Sequence, residues 1–183
     1  MKKRKDQNTV KSTYKHKNPL IRWYFNRKMN LILDLADLNK SDLVLDFGCG
    51  EGWLKTKIRE TSPKLKVIGY DINPKQTEIK NYRKIHPDKV IAIDVFEHMT
   101  KREIEKTIKD FKRMNPKFTL ITSIPTQNKL SRISRVLVGK KPNAEGHISG
   151  LNDILTLLRK NLKQTKKHGF FAISYLARFE NKK

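Results

Sequence analysis

Short continuous runs of apolar residues alternate along this chain with longer segments whose apolar positions recur on a helical period. The continuous runs predict buried strands, and the amphipathic segments predict helices. The predicted strands are 44–47, 65–71, 90–93, 118–123 and 170–179. The predicted helices are 19–38, 53–59, 75–85, 100–111, 130–138 and 152–163. Strands that alternate with helices predict a doubly wound, mainly parallel α/β sheet with ligands at its carboxyl edge.

Two of the predicted helices begin at recognisable capping residues. Asn18-Pro19 supplies an N-cap side chain and a proline for the first turn of the first helix. Thr100, with Glu103 three positions later, predicts a capping box at the start of another helix. Both pairs indicate where a helix begins independently of its apolar pattern.

The first predicted strand runs directly into a turn with three glycines, Gly48, Gly50 and Gly52. Glycine permits positive φ and lets a ligand approach the backbone closely. Asp46 and Glu51 add two carboxylates, which disfavour a pyrophosphate and suit a ligand with sulfonium and ammonium charges. The spacing GxGxG also differs from the GxGxxG of dinucleotide sites, so a dehydrogenase is the weaker interpretation.

The second predicted strand ends in an acid, Asp71. It lies about 20 residues after the glycine turn, where a carboxylate can accept hydrogen bonds from both hydroxyls of a ribose. Asp71 is therefore the predicted ribose-binding residue.

Three segments, LDFGCGEG, VIGYDINP and IAIDVFEHM, together resemble the first, second and fourth strand-end motifs of class I S-adenosylmethionine-dependent methyltransferases. The resemblance is greatest to the broad type 11/12 branch that acts on small molecules, and it spans roughly residues 18–179. It implies one Rossmann-like methyltransferase domain over residues 18–183, with a C-terminal antiparallel strand and S-adenosyl-L-methionine as cofactor. The cofactor-binding residues that it implies are Asp46, Gly48, Cys49, Gly50, Glu51, Gly52, Asp71, Ile72, Asp94 and Val95.

One interval of the chain departs from the family pattern. Only 23 positions separate Asp71 from Asp94, which hardly leaves room for a complete third strand with its own helix. We therefore expect this strand to be missing or shortened. In the family an acid after that strand commonly holds the adenine amino group, and no residue here is assigned to this role. There are two interpretations of this absence. Either the adenine is held by a backbone or apolar contact, or the cofactor site is weakened.

Candidate catalytic groups are expected after the strands that end near Asp94 and Ser123. Methyl transfer requires an aligned acceptor and a destination for the acceptor's proton. His98 and His147 are the catalytic candidates, because an imidazole is suited to general-base work near neutral pH. The alternatives are that His98 belongs to a structural hinge and that His147 is an exposed loop histidine. No metal ligand is assigned, and the single cysteine, Cys49, is expected to be structural.

The chain is strongly basic, with 41 Lys and Arg residues against 18 Asp and Glu residues and a net charge of +23. Such a field attracts polyanions, including RNA and anionic membrane surfaces. We expect residues 1–17 to form a disordered basic tail. We expect the methyl acceptor to be an oxygen or nitrogen atom of a small or anionic substrate. There are three alternatives: an RNA methyltransferase, a non-catalytic polyanion-binding protein on this fold, and a surface whose lysines are merely solvated.

The sequence also bears on the cellular compartment. No apolar run is long enough to span a bilayer, and the lysine-rich start lacks the apolar core of a secretory signal. We therefore expect a cytoplasmic protein. The helix predicted at 19–38 combines aromatic and basic side chains, for which peripheral membrane attachment and core packing are the two interpretations. The oligomeric state is not predicted.

Overall fold

Six strands form one sheet in the computed structural model, which describes residues 17–126, 128–130, 133, 136 and 146–182. The strands are β1 (Leu43–Phe47), β2 (Lys66–Tyr70), β3 (Lys89–Ile93), β4 (Thr119–Pro125), β5 (Leu162–Phe170) and β6 (Ser174–Asn181). Their order across the sheet is β2-β1-β3-β4-β6-β5. Strands β1 to β4 are parallel, and β6 is antiparallel to both β4 and β5. The carboxyl ends of four strands therefore meet at one edge.

Helices cover both faces of this sheet, as the alternating pattern predicted. They are α1 (Pro19–Ala36), α2 (Trp53–Thr61), α3 (Lys101–Met114) and α4 (Leu151–Asn161). Apolar residues of α1 and α2 pack with one face of the sheet, and those of α3 and α4 pack with the other. Burial of these two apolar layers is the main stabilising contribution to the fold. The prediction of a doubly wound α/β sheet is confirmed.

Both predicted helix starts are confirmed. The side chain of Asn18 accepts a hydrogen bond from the backbone N–H of Leu20, and Pro19 is the first helical residue. The Thr100 side chain accepts from the Glu103 N–H, while the Glu103 carboxylate accepts from the Thr100 N–H. This reciprocal capping box satisfies two backbone donors that would otherwise lack helical partners.

The helix predicted at 75–85 is wrong. The chain between β2 and β3 is a loop with a single 3₁₀ turn, Tyr82–Lys84. Asn73 and Asn81 each accept a hydrogen bond from the backbone N–H two residues later, and such local bonds compete with helix formation. In the described part of the chain β2 has only β1 as a neighbour, so the expected loss of the family's third strand is confirmed.

The C-terminal antiparallel strand predicted at 170–179 is present as β6, but it begins only at Ser174, and its hairpin partner β5 was not predicted. The chain turns at Phe171 and Ala172, which both have positive φ, at 48° and 52°. The first strand of the hairpin, β5, is largely exposed and polar, so it lacks the apolar alternation that reveals a half-buried strand.

Two predictions concern parts of the chain outside the described residues. The basic tail at 1–17 falls there except for its last residue, and the helix at 130–138 falls there for the most part. Among the described helices, none is both long and apolar enough to cross a membrane.

Candidate functional site

The glycine turn between β1 and α2 lies at the carboxyl edge of the sheet. The backbone N–H groups of Gly48 and Cys49 both donate to the Tyr70 carbonyl, at 2.7 and 3.0 Å, which fixes the turn to the end of β2. Gly48 has φ of +80°, and a Cβ at this position would lie 2.4 Å from Cγ2 of Val95. Glycine is therefore required at position 48 both for its backbone conformation and for the approach of Val95.

Asp71 lies beside this turn, where the ribose-binding residue is predicted. Its carboxylate accepts hydrogen bonds from the backbone N–H of Gly50 at 2.9 Å and of Asn73 at 2.8 Å. Because an ionised carboxylate offers about four acceptor positions, two remain for a ligand. Ile72 follows with 79% of its surface exposed. A partly buried carboxylate beside an exposed apolar side chain can hold the hydroxyls and one face of a nucleoside.

Asp46 is buried at the end of β1 with only 3% of its surface exposed. Its Oδ2 atom has no hydrogen-bond partner among the described residues. Burial, together with the nearby carboxylates of Asp71 and Glu78, raises the pKa of Asp46 to about 7. A buried carboxyl oxygen without a partner is costly, and a ligand ammonium group would relieve that cost.

Cys49 is packed against the neighbouring strand. A Cβ at Gly69 would lie 2.9 Å from the Cys49 Sγ atom, and the thiol contacts the Gln76 carbonyl at 3.5 Å. Burial, together with the nearby carboxylates of Asp46, Asp71 and Glu78, raises the pKa of the Cys49 thiol to about 12. The fraction of reactive thiolate at neutral pH is therefore very small, which fits the structural role expected for this residue.

Glu78 is a residue of this edge that the sequence did not single out. Its carboxylate pairs with Lys55 at 2.7 Å and also accepts from the Gly69 N–H at 3.4 Å. The pair ties the loop after β2 to helix α2, on which Lys55 lies. No short motif marks Glu78, because its partners come from two other segments. Glu51, by contrast, is exposed beside the turn, and Gly52 forms the N-cap of α2.

Asp94, at the end of β3, is held by an ion pair with α1. Lys28 Nζ lies 2.8 and 2.6 Å from the two oxygens of Asp94, and the Ser123 hydroxyl donates to the first of them at 2.6 Å. Burial disfavours the ionised form, but the Lys28 ammonium and the Ser123 hydroxyl outweigh it and lower the pKa of Asp94. Asp94 also has a φ of +54°, an uncommon value for a residue with a side chain. Its cofactor contact stays a prediction.

Lys28 is the second residue that sequence reasoning missed. Its side chain is only 3% exposed, although lysine is rarely buried without a partner. The signal was its position among the buried residues Met29 and Ile32 of α1. A lysine on the apolar side of an amphipathic helix indicates an acid on the element packed against that side.

The two predicted catalytic histidines lie together. The ring centroids of His98 and His147 are 5.0 Å apart, with the rings edge to face. His98 Nδ1 is 3.0 Å from the Gly146 carbonyl oxygen. Backbone N–H groups of Ile148 and Ser149 donate to the Glu97 carbonyl at 2.6 and 3.2 Å, which brings this loop onto the segment after β3. The structure thus joins two residues far apart in sequence, while their catalytic role stays a prediction.

The side chain of Glu97, which is not among the predicted site residues, completes this group. One ligand atom each of Glu97, His98 and His147 lie within 4.8 Å of one another. Burial raises the pKa of Glu97, and the Asp94 carboxylate adds to the rise. Sequence reasoning missed the group because His147 reaches it from the segment just before α4, far along the chain from Glu97.

Comparisons with known proteins agree with this geometry. A family model described as a methyltransferase domain matches residues 20–157. No curated protein matches the chain by sequence.

The chain is similar in structure to several solved proteins. For the PH0226 protein of Pyrococcus horikoshii OT3 the TM-score is 0.71 at 17% identity, over 95% of this chain and 97% of that one. For magnesium protoporphyrin IX methyltransferase (ChlM) of Synechocystis PCC 6803 with bound SAH, the TM-score is 0.61 at 19% identity, over 90% and 88%. For the N-methyltransferase NodS of Bradyrhizobium japonicum WM9 with S-adenosyl-L-homocysteine, it is 0.65 at 14% identity, over 97% and 95%. The TM-scores show a shared fold, and at sequence identities this low the similarity shows the fold alone.

Proposed function

Because this chain belongs to the family of class I S-adenosylmethionine-dependent methyltransferases, we propose that it methylates an oxygen or nitrogen atom of an anionic substrate. When bound, S-adenosyl-L-methionine supplies a sulfonium methyl group that an acceptor lone pair displaces. The observation that carries the proposal is the arrangement of Asp46 and Asp71 around the glycine turn. Each carboxylate retains acceptor capacity that no described residue uses.

The cofactor would be held by this edge of the sheet. Asp71 would accept hydrogen bonds from the ribose hydroxyls while it keeps its bonds to Gly50 and Asn73. The unpartnered oxygen of Asp46 would accept from the ammonium group. Ile72 would cover one face of the adenine ring with its exposed side chain. The carboxylates of this edge match the positive charges of the cofactor, which makes the site selective against phosphates.

The acceptor side would be formed by the segment after β3 and the loop at 146–150. His98 is oriented by the Gly146 carbonyl, which leaves Nε2 as the proton acceptor if Nδ1 carries the hydrogen. His147 packs against its ring. One of the two imidazoles would take the acceptor's proton as the methyl group is transferred.

The anionic character of the substrate rests on charge. The net charge of +23 is far above what solubility requires. Lys163, Lys166 and Lys167 are exposed on β5, at the edge of the sheet. An exposed row of lysines also fits the phosphates of a nucleic acid, so an RNA methyltransferase is the second candidate.

The test is transfer of labelled methyl from S-adenosyl-L-methionine into separated fractions of a cell extract, one of RNA and one of small molecules retained on an anion exchanger. We expect label in the small-molecule fraction with the wild type and with Asp153→Ala, whose exposed carboxylate lies on α4, and none with Asp71→Ala. Label in RNA only would replace the first candidate with the second. Cofactor binding without transfer into either fraction would contradict both.

A further inference from the structure

We propose that Glu97, His98 and His147 form a binding site for a divalent transition-metal ion. One ligand atom of each lies within 4.8 Å of the others. Four-coordinate zinc, with bonds of about 2.1 Å, separates its ligand atoms by roughly 3.4 Å. Both histidines are partly exposed, so small rotations of their rings would close the remaining distance.

The buried carboxylate of Glu97 gives a second and independent indication. Glu97 is 1% exposed, and its Oε2 atom has no hydrogen-bond partner among the described residues. Its Oε1 atom lies 4.0 Å from His98 Nε2. Leaving a carboxylate oxygen buried without a partner is costly, and a coordinated cation would satisfy it. The position of Glu97 is set independently, because its backbone carbonyl accepts the bonds from Ile148 and Ser149.

The surroundings of His98 fit a metal ligand as well. Metal-binding histidines generally donate their second ring N–H to a carbonyl or carboxylate, which orients the ring. His98 Nδ1 is 3.0 Å from the Gly146 carbonyl oxygen, while Nε2 of the same ring faces Glu97, 4.0 Å from its Oε1 atom. Ser149 supports the same loop through a 2.6 Å bond from its hydroxyl to the Met99 carbonyl. The loop that carries His147 is thus held against the segment that carries the other two ligands.

The ligand set indicates the class of ion. Two imidazoles and one carboxylate bind zinc in open catalytic sites and bind iron, manganese or cobalt in sites with free positions. Magnesium and calcium prefer an all-oxygen environment. The ion expected here is therefore a first-row transition metal that keeps a position open for water or another oxygen ligand.

The position of the group suggests what the ion would do, and this step rests on the proposed function. Val95, two residues before Glu97, lies against Gly48 of the cofactor turn. A cation at this edge would bind an acceptor oxygen and lower its pKa, and the proton would leave to solvent. The two histidines would then act as ligands instead of as bases, and oxygen acceptors would be favoured over nitrogen.

The test is titration of the tag-free, chelator-treated full-length protein with Co²⁺, followed by visible absorption and by calorimetry, with Zn²⁺ as competitor. We expect one ion per chain and at least a tenfold loss of affinity in His98→Ala and in His147→Ala. His168→Ala is the matched control, because His168 is an exposed histidine on β5, and it should bind as the wild type does. Glu97→Gln keeps the shape of the buried side chain and should also weaken binding at least tenfold.

Binding that is unchanged in His98→Ala and His147→Ala, or no binding of either ion by the folded wild type, would overturn the metal site. Circular dichroism and S-adenosyl-L-methionine titration of each variant establish that it is folded. If Glu97→Gln does not fold, the two histidine variants test the metal site by themselves. The cofactor titration also separates the two proposals. Metal binding without cofactor binding would overturn the proposed function alone, and cofactor binding without metal binding would overturn the metal site alone.

Discussion

At the scale of single residues, the site is built from carboxylates whose surroundings differ. Asp71 is bonded to two backbone N–H groups, whereas one oxygen of Asp46 is buried without a partner. Asp94 is paired with a buried lysine. The pKa values of Asp46 and Asp94 shift in opposite directions, because burial favours the neutral form of Asp46 while Lys28 favours the charged form of Asp94.

The raised pKa of Asp46 predicts a pH dependence of stability. The pKa of about 7 in the folded chain lies above the ordinary value of 3.8, so folding favours the protonated form. The free energy of unfolding should therefore fall as pH rises from about 4 to about 7, by up to roughly 4 kcal/mol for this residue. Asp46→Asn cannot ionise and should lack this component. Denaturant unfolding of both proteins from pH 4.5 to 8 measures it, and parallel curves would contradict the prediction.

Gly48 predicts a steric effect that a second substitution relieves. Gly48→Ala places a Cβ against Val95 at a φ of +80°, so the free energy of unfolding should drop by about 2–5 kcal/mol from backbone strain and overpacking together. Gly50→Ala is the control, because its Cβ meets no atom within 4 Å and only the strain of its positive φ applies. Adding Val95→Ala to Gly48→Ala should recover part of the loss. A double mutant no more stable than Gly48→Ala would refute the contact.

The residues of the glycine turn were predictable because they are neighbours in sequence and their spacing has a local meaning. Asp71 was predictable because it ends the next strand. Lys28, Glu78 and the joining of Glu97 to His147 were not, since each depends on a partner from a distant segment. Sequence periodicity places residues on a face of an element but does not state which element lies opposite.

At the scale of elements, agreement between local signals decided which predictions held. Helix α3 has an apolar face, a capping box and basic residues in its last turn. The segment 75–85 has an apolar pattern, but Asn73 before it and Asn81 within it accept hydrogen bonds from nearby backbone N–H groups instead. Strand β5 is an exposed edge strand, and its many polar positions concealed it. Sequence reasoning therefore missed β5, a strand held in place mainly by its pairing with β6.

The capping box of α3 predicts a measurable contribution to stability. Thr100→Ala removes the side-chain oxygen that accepts from the Glu103 N–H, and it should lower the free energy of unfolding by about 1 kcal/mol. Thr100→Ser keeps that oxygen and should remain near the wild type. Denaturant unfolding compares the three proteins, and equal losses in the two variants would show that the hydroxyl is not the stabilising group.

At the scale of the whole molecule, the distribution of charge is uneven. The chain has a net charge of +23, yet three carboxylates meet at the cofactor edge, those of Asp46, Asp71 and Glu78. Under the proposed function, the overall field attracts an anionic acceptor over long distances, and the local carboxylates select a cationic cofactor at short range. The net charge follows directly from composition, and the motifs indicated Asp46 and Asp71 at this edge but not Glu78.

The most direct test of this account is a calorimetric titration of the purified, nuclease-treated protein with S-adenosyl-L-methionine and separately with S-adenosyl-L-homocysteine. We expect the wild type to bind both, and Asp71→Ala to bind at least tenfold more weakly, as for the loss of a charged hydrogen bond of about 1.5–3 kcal/mol. Asp153→Ala, which removes an exposed carboxylate on α4, should bind as the wild type does. Equal affinity in Asp71→Ala, or no binding of either ligand by the folded wild type, would contradict the assignment of this edge as the cofactor site.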